Sequence, residues 1–143
     1  MSVDAYLNFN GNCREAVEFY AEAFGTEIPT IMTFGESPPN PNYPLPEEAK
    51  NLVMHTRLNL VGSNVMFSDV FPGMPFIKGN NISLAIVSKD FDEIKSLFRK
   101  LKVGGTVGME LQETFWSKLY GSLTDKFGIE WQFNYEDIQS PSM

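Results

Sequence analysis

Apolar and polar positions along this chain change period in a fixed order, and that order occurs twice. Residues 3–9 alternate apolar with smaller or polar side chains, as a strand does. Asn12 and Glu15 then stand where a capping box would open a helix. Ala16, Phe19, Tyr20, Ala23 and Phe24 recur at helical spacing on one face, and Gly25 supplies the left-handed residue that ends it. Residues 26–34 read as a second strand. Residues 52–61 and 65–69 read as a hairpin around Gly62-Ser63-Asn64.

The second half repeats the order. A strand over 81–88 precedes a helix over 90–102, opened by Asp90 and Glu93, with Ile94, Leu97, Phe98 and Leu101 on one face. Strands follow at about 106–112, 118–124 and 130–135, with a turn at Thr124–Gly128. Glu93 lies 78 residues beyond Glu15, and Gly104 lies 79 beyond Gly25, whereas Gly128 is only 66 beyond Gly62. A duplicated βαβββ module with a longer loop in the first copy accounts for all three offsets. That loop, residues 35–50, holds five of the nine prolines and cannot be an internal strand. The expected class is α+β: a single domain over 1–143 made of two modules, about 1–70 and 80–137, their strands forming a curved mixed sheet around a cleft with the helices outside. Residues 138–143 read as a frayed tail.

Composition narrows the function classes. The net charge is −7 with no basic cluster, which argues against a nucleic-acid surface. The longest apolar stretches are strand-length, so no membrane span is expected, and the N-terminus lacks a signal peptide's pattern. The one cysteine, Cys13, forms no internal disulfide and fits a reducing, cytoplasmic location; at the start of a helix it reads as structural. No phosphate loop or dinucleotide fingerprint appears, and Gly104-Gly105 follows a helix. One histidine without an elbow serine disfavours a hydrolase triad. No glycine-rich strand-to-helix turn suits the nucleotide-like cofactor of a methyltransferase.

Three stretches carry a family resemblance: Tyr6–Gly25, Met54–Asp69 and Glu113–Asn134. Together they resemble the PhnB-like, or demethylubiquinone methyltransferase-like, branch of the vicinal oxygen chelate superfamily, which includes glyoxalase I, bleomycin-resistance proteins and extradiol dioxygenases. The likeness runs from about residue 3 to 136. One departure is local: where relatives often read Phe-Trp-Gly-Asp, this chain has Phe115-Trp116-Ser117-Lys118, a base in place of an acid.

The resemblance implies a paired-module fold and, in metal-using members, a facial cage with one ligand from the first and one from the last strand of each module. Counting from the helix caps and hairpin glycines puts those positions at Ala5, Met66, Ser83 and Gln132. Alanine cannot ligate, methionine suits copper(I), and neutral Ser and Gln anchor divalent metals poorly. No cofactor is expected, and a divalent metal is disfavoured. The resemblance also implies a homodimer, with modules pairing edge to edge.

The remaining candidates lie on one face of each sheet. His55, the only histidine and the only candidate for acid–base catalysis, shares a strand face with Arg57 and Asn59. Arg57 would hold an anionic or carbonyl group while His55 hydrogen-bonds or accepts a proton; a solvated arginine and a histidine satisfied by neighbouring strands is the competing account. Ser68 follows on the adjoining strand, with Asp69 expected to cap the loop starting at Val70. Trp116 and Tyr120 would wall a pocket, and Gln132 and Asn134 would read its ligand's polar groups. These residues point to a metal-free protein that binds an unknown small molecule. The alternative is a metal-dependent lyase, isomerase or dioxygenase with a displaced site around His55.

Overall fold

A computed structural model describes residues 1–136, so the tail expected over 138–143 lies outside the described residues. The chain divides into two compact units, Met1–Ile77 and Lys78–Met143. Each is one βαβββ module whose strands form a four-stranded mixed sheet.

The first unit runs β1 (Ala5–Phe9), α1 (Cys13–Phe24), β2 (Met32–Thr33), β3 (Val53–Leu60) and β4 (Ser63–Asp69), with sheet order β1-β4-β3-β2. β1 pairs parallel to β4 because the helix carries the chain back over one face; β3 and β4 are antiparallel because a tight turn joins them. The second unit runs β5 (Leu84–Ser88), α2 (Phe91–Leu101), β6 (Thr106–Gln112), β7 (Tyr120–Thr124) and β8 (Glu130–Tyr135), in the matching order β5-β8-β7-β6.

Each helix covers one sheet face. In the first unit Ala16, Val17 and Tyr20 of α1 are fully buried, and Tyr20 stacks on Phe67, which stacks on Phe9. In the second, Phe98 of α2 meets Phe133 edge-on, while Phe91 lies flat on Tyr135 with ring centroids 4.1 Å apart. Val65 and Phe67, like Trp131 and Phe133, fill these cores. The alternate positions of the same strands face the other way.

Several local expectations change. The strand expected over 26–34 shrinks to Met32–Thr33, followed by a 3₁₀ turn at Phe34–Glu36. The strand expected from residue 81 begins at Leu84. The hairpin turn is Val61-Gly62, not Gly62-Ser63-Asn64, since Leu60 already pairs with Ser63. Both turn residues have positive φ (52° and 90°), the backbone of a type I′ turn. The proline-rich loop is pinched at its base: Phe34 N–H donates to Leu52 O at 3.1 Å and Gly35 N–H to Lys50 O at 3.0 Å. A Cβ on Gly35 would stand 2.8 Å from Lys50 O, so the strands close there only because the side chain is absent.

Asn12 makes no side-chain bond to the start of α1. The Asp69 carboxylate does this work from the end of β4, and so it does not cap the loop at Val70. Its Oδ1 accepts from Gly11 N–H (2.9 Å) and Cys13 N–H (3.0 Å), and its Oδ2 from Val53 N–H (2.9 Å). A carboxylate with two oxygens satisfies donors on two segments at once, which the shorter, single-acceptor Asn12 could not. Asp90 caps α2 as expected, accepting from Asp92 and Glu93 N–H. The Glu93 carboxylate turns to the Ser88 hydroxyl (2.8 Å), whose oxygen in turn accepts from Asp90 N–H.

Candidate functional site

The open face of each sheet, away from its helix, carries the candidate residues. In the first unit Met66 pairs with Tyr6 on one side and Arg57 on the other, and these three share the open face. Ala5 pairs instead with Val65, which is buried, so Ala5 stands one step off the row it was expected to join. The slip has a simple origin. Phe9–Asp69 and Ser88–Tyr135 are matching rungs, yet Asn12 is three residues beyond Phe9 and Asp90 only two beyond Ser88. Gly11, at φ 92°, takes up the extra residue. Counting back from the helix caps therefore differs by one between the modules, and a one-residue slip changes the face.

Tyr6 Oη lies 3.4 Å from His55 Nδ1, the rings 5.9 Å apart. Arg57 is exposed beside them. Ser68 is buried with its hydroxyl 3.4 Å from Asn8 Oδ1. Asn59 is turned to the hairpin, where its Oδ1 accepts from Gly62 N–H at 2.8 Å. Its side chain thus serves the turn. Tyr6 and Asn8 belong to this surface by strand alternation from His55 and Ser68, a signal present in the sequence but not drawn out.

The second unit holds the better-formed site. Gln132, on β8, bridges two hydroxyls: its Nε2 donates to Ser83 Oγ at 2.7 Å and its Oε1 accepts from Tyr120 O–H at 2.7 Å. The row lines a cavity of about 310 Å³ on the open face, to which Gly108, Ser122 and Glu130 also contribute. That size is near the lower end for small-molecule sites and admits a single-ring compound. Asn134 follows Gln132 on the same face and sits directly across from Tyr120 on β7. Trp116 packs edge-on against Tyr120, with centroids 5.3 Å apart, and Phe115 against Trp116 at 4.8 Å. Phe115 is almost wholly exposed at the tip of this segment.

Ser117, the residue that departs from the familiar Gly, holds Trp116 in place. Its hydroxyl lies 2.9 Å from Leu119 O and 3.0 Å from Tyr135 O, and accepts Leu119 N–H at 3.2 Å. Thr114 N–H donates to Ser117 O, closing the loop on itself. Near the other end of β7, Asp125 is buried and accepts from Phe127 and Ile129 N–H and from the Trp131 indole. Its spacing to Gly128 is a turn signal, and its third bond to Trp131 needed the hairpin register to be seen.

Neither open face fits a divalent ion. The first offers a thioether and a phenol beside a guanidinium, whose charge opposes a cation; the second offers an amide, a hydroxyl and, opposite Gln132, Ala85. Among the described residues no three His, Cys, Asp or Glu side chains converge. Cys13 is also unsuited to ligation: burial foremost, then the Asp69 charge, pushes its thiol up to about 12, despite a small opposing pull from Arg14. No helix among the described residues is long and apolar enough to cross a membrane.

Comparison with known proteins places this geometry in a family. The chain is 34% identical to protein YjdN of Escherichia coli (strain K12), over 94% of this chain and 95% of that one. A solved structure of protein PA1353 from Pseudomonas aeruginosa superposes with a TM-score of 0.83 at 35% identity, covering 95% and 98% of the two chains. A Bacillus cereus protein, described as a PhnB protein and putative 3-demethylubiquinone-9 3-methyltransferase, gives 0.75 at 28% identity, covering 95% and 100%. A glyoxalase-related enzyme from Fulvimarina pelagi shares the fold alone, with a TM-score of 0.56 at 15% identity over 100% and 98%. The family described as 3-demethylubiquinone-9 3-methyltransferase matches residues 2–134, and the chain, with its α+β glyoxalase-related fold, belongs to that PhnB-like family.

Proposed function

We propose that this protein is a small-molecule-binding member of the vicinal oxygen chelate superfamily that works without the superfamily's metal. The observation that carries the reading is the hydrogen-bonded row Tyr120–Gln132–Ser83 lining a cavity of about 310 Å³. A row tied at both ends presents its polar groups in one orientation, so little ordering remains to be done on binding. Aromatic walls from Tyr120 and Trp116 suit a flat ligand. Where a metal ligand would be wanted, Gln132 is already engaged by two neutral partners.

The family's description names a methyl transfer. The turns after β1 and β5, Asn10-Gly11-Asn12 and Lys89-Asp90, lack the glycine-rich approach that a nucleotide-like methyl donor calls for, so we favour binding over transfer. Each sheet ends on two edge strands, and their pairing in a homodimer of a cytoplasmic protein belongs to the same proposal. A monomer by light scattering at micromolar concentration would contradict that part.

The test is a thermal-shift screen of small planar aromatics (phenol, indole, benzamide, benzoate) on protein treated with EDTA, with elemental analysis of protein purified without added ions. Stabilisation unaffected by chelation is expected. Stoichiometric Zn, Ni, Mn or Fe, with ligand effects lost in EDTA, would overturn the proposal in favour of a metal-dependent lyase, isomerase or dioxygenase around His55.

A further inference from the structure

Two polar atoms beside Tyr120 are out of solvent contact and unpaired among the described residues: the Trp116 indole N–H and the Asn134 carbonyl oxygen. Asn134 as a residue is 7% exposed. A buried polar atom without a partner costs on the order of 1–3 kcal/mol, and two on one patch call for an explanation. They are not a by-product of a loose loop, since Ser117 is bonded to the backbone on both sides of the Trp116 segment and Asn134 lies within β8. They flank one ring: Asn134 directly across the strand pair, Trp116 edge-on.

The indole can only donate, and the carbonyl can only accept. The one charged side chain lining the adjacent cavity is Glu130, which opposes an anion. From these three facts we infer that Trp116 and Asn134 form the reading pair of the ligand site, and that the ligand presents them a neutral, planar edge with an acceptor beside a donor, as in an amide, lactam or ureido group. The inference rests on the binding site proposed above and specifies its ligand class. A carboxylate supplies the acceptor but meets the Asn134 oxygen with a second acceptor. A plain hydrocarbon leaves both atoms orphaned. Sites of this kind discriminate strongly against analogues lacking the matched group.

The experiment follows side-chain resonances of ¹⁵N-labelled full-length protein in EDTA while benzamide, benzoate or ethylbenzene is added, up to about 10 mM as suits fragments of this size. Trp131 is an internal control, because its indole N–H already donates to Asp125 Oδ2 at 2.8 Å. Benzamide is expected to move the Trp116 indole signal and the Gln132 carboxamide while leaving Trp131 in place, and to bind at least about tenfold more tightly than the other two. Trp116→Phe and Asn134→Leu should each weaken benzamide about tenfold and leave ethylbenzene nearly unchanged, with the Trp131 signal reporting an intact fold. If benzoate binds as well as benzamide, or if both variants keep full benzamide affinity while Gln132 still responds, the reading pair is overturned and the cavity stands. If no probe moves any signal of the second sheet, the pair and the binding site both fall.

Discussion

Gln132 is held to Ser83 by a 2.7 Å hydrogen bond from its carboxamide nitrogen, which fixes which end of the amide faces Tyr120. Ser83→Ala removes that anchor from a half-buried position without opening a cavity, so the fold should lose no more than about 1 kcal/mol. Affinity for the tightest aromatic of the thermal-shift panel should fall about threefold or more, because Gln132 is then free to rotate. Titration of wild type and variant with that compound checks it; equal affinities would detach Gln132 from binding.

Asp69 should be among the costliest side chains to remove. Its carboxylate satisfies three backbone donors on two segments, and Asp69→Ala would leave all three without it. The expected loss is about 3 kcal/mol or more, read from denaturant unfolding at pH 7. Asn12→Ala, by contrast, should cost less than about 0.5 kcal/mol, since that side chain caps nothing. Equal effects of the two would return the capping role to Asn12.

The Cys13 thiol, pushed up to about 12, makes a signed prediction for alkaline pH. The unfolded thiol ionises near its ordinary value while the folded one stays protonated, so the unfolded state binds fewer protons between about 9 and 12. Stability from this group is complete below about 9 and declines as pH rises through that window. Cys13→Ala should flatten the decline relative to wild type between pH 9 and 11, and native protein should resist thiol reagents at pH 8. Rapid labelling of folded protein at pH 8 would contradict the assignment.

Val61 is a β-branched residue with φ 52° at the first turn position, where asparagine or glycine is at ease. It is 45% exposed, so little burial is lost on changing it. Val61→Asn should stabilise by about 1 kcal/mol, a rise of a few degrees in Tm. A lower Tm would mean the valine packs more than its exposure suggests.

The duplicated order of elements was legible because helix periodicity, glycine stops and prolines are local signals. The helix faces Ala16/Tyr20 and Ile94/Phe98 needed only spacing. What escaped depended on register between distant segments. Ala5 was placed by counting from a helix cap, and one extra residue near Gly11 moved it to the wrong face. Asp69 looked like a local cap because its three donors lie 16, 56 and 58 residues away in sequence. In the second module the matching position is Tyr135, stacked on Phe91, so the internal repeat concealed the difference. The candidates Tyr120, Gln132 and Asn134 were legible from strand alternation. Their bonding to Ser83 was not, because hydrogen-bond partners follow from side-chain rotamers across strands.

The most direct test of a metal-free site on the second sheet is a structure of the EDTA-treated protein grown with benzamide. The ring is predicted against Tyr120 and Trp116, within hydrogen-bonding reach of the Gln132 row or the Asn134 carbonyl, with no ion bound. A ligand seated through a metal ion at His55, or benzamide found only away from the second sheet's open face, would contradict the account.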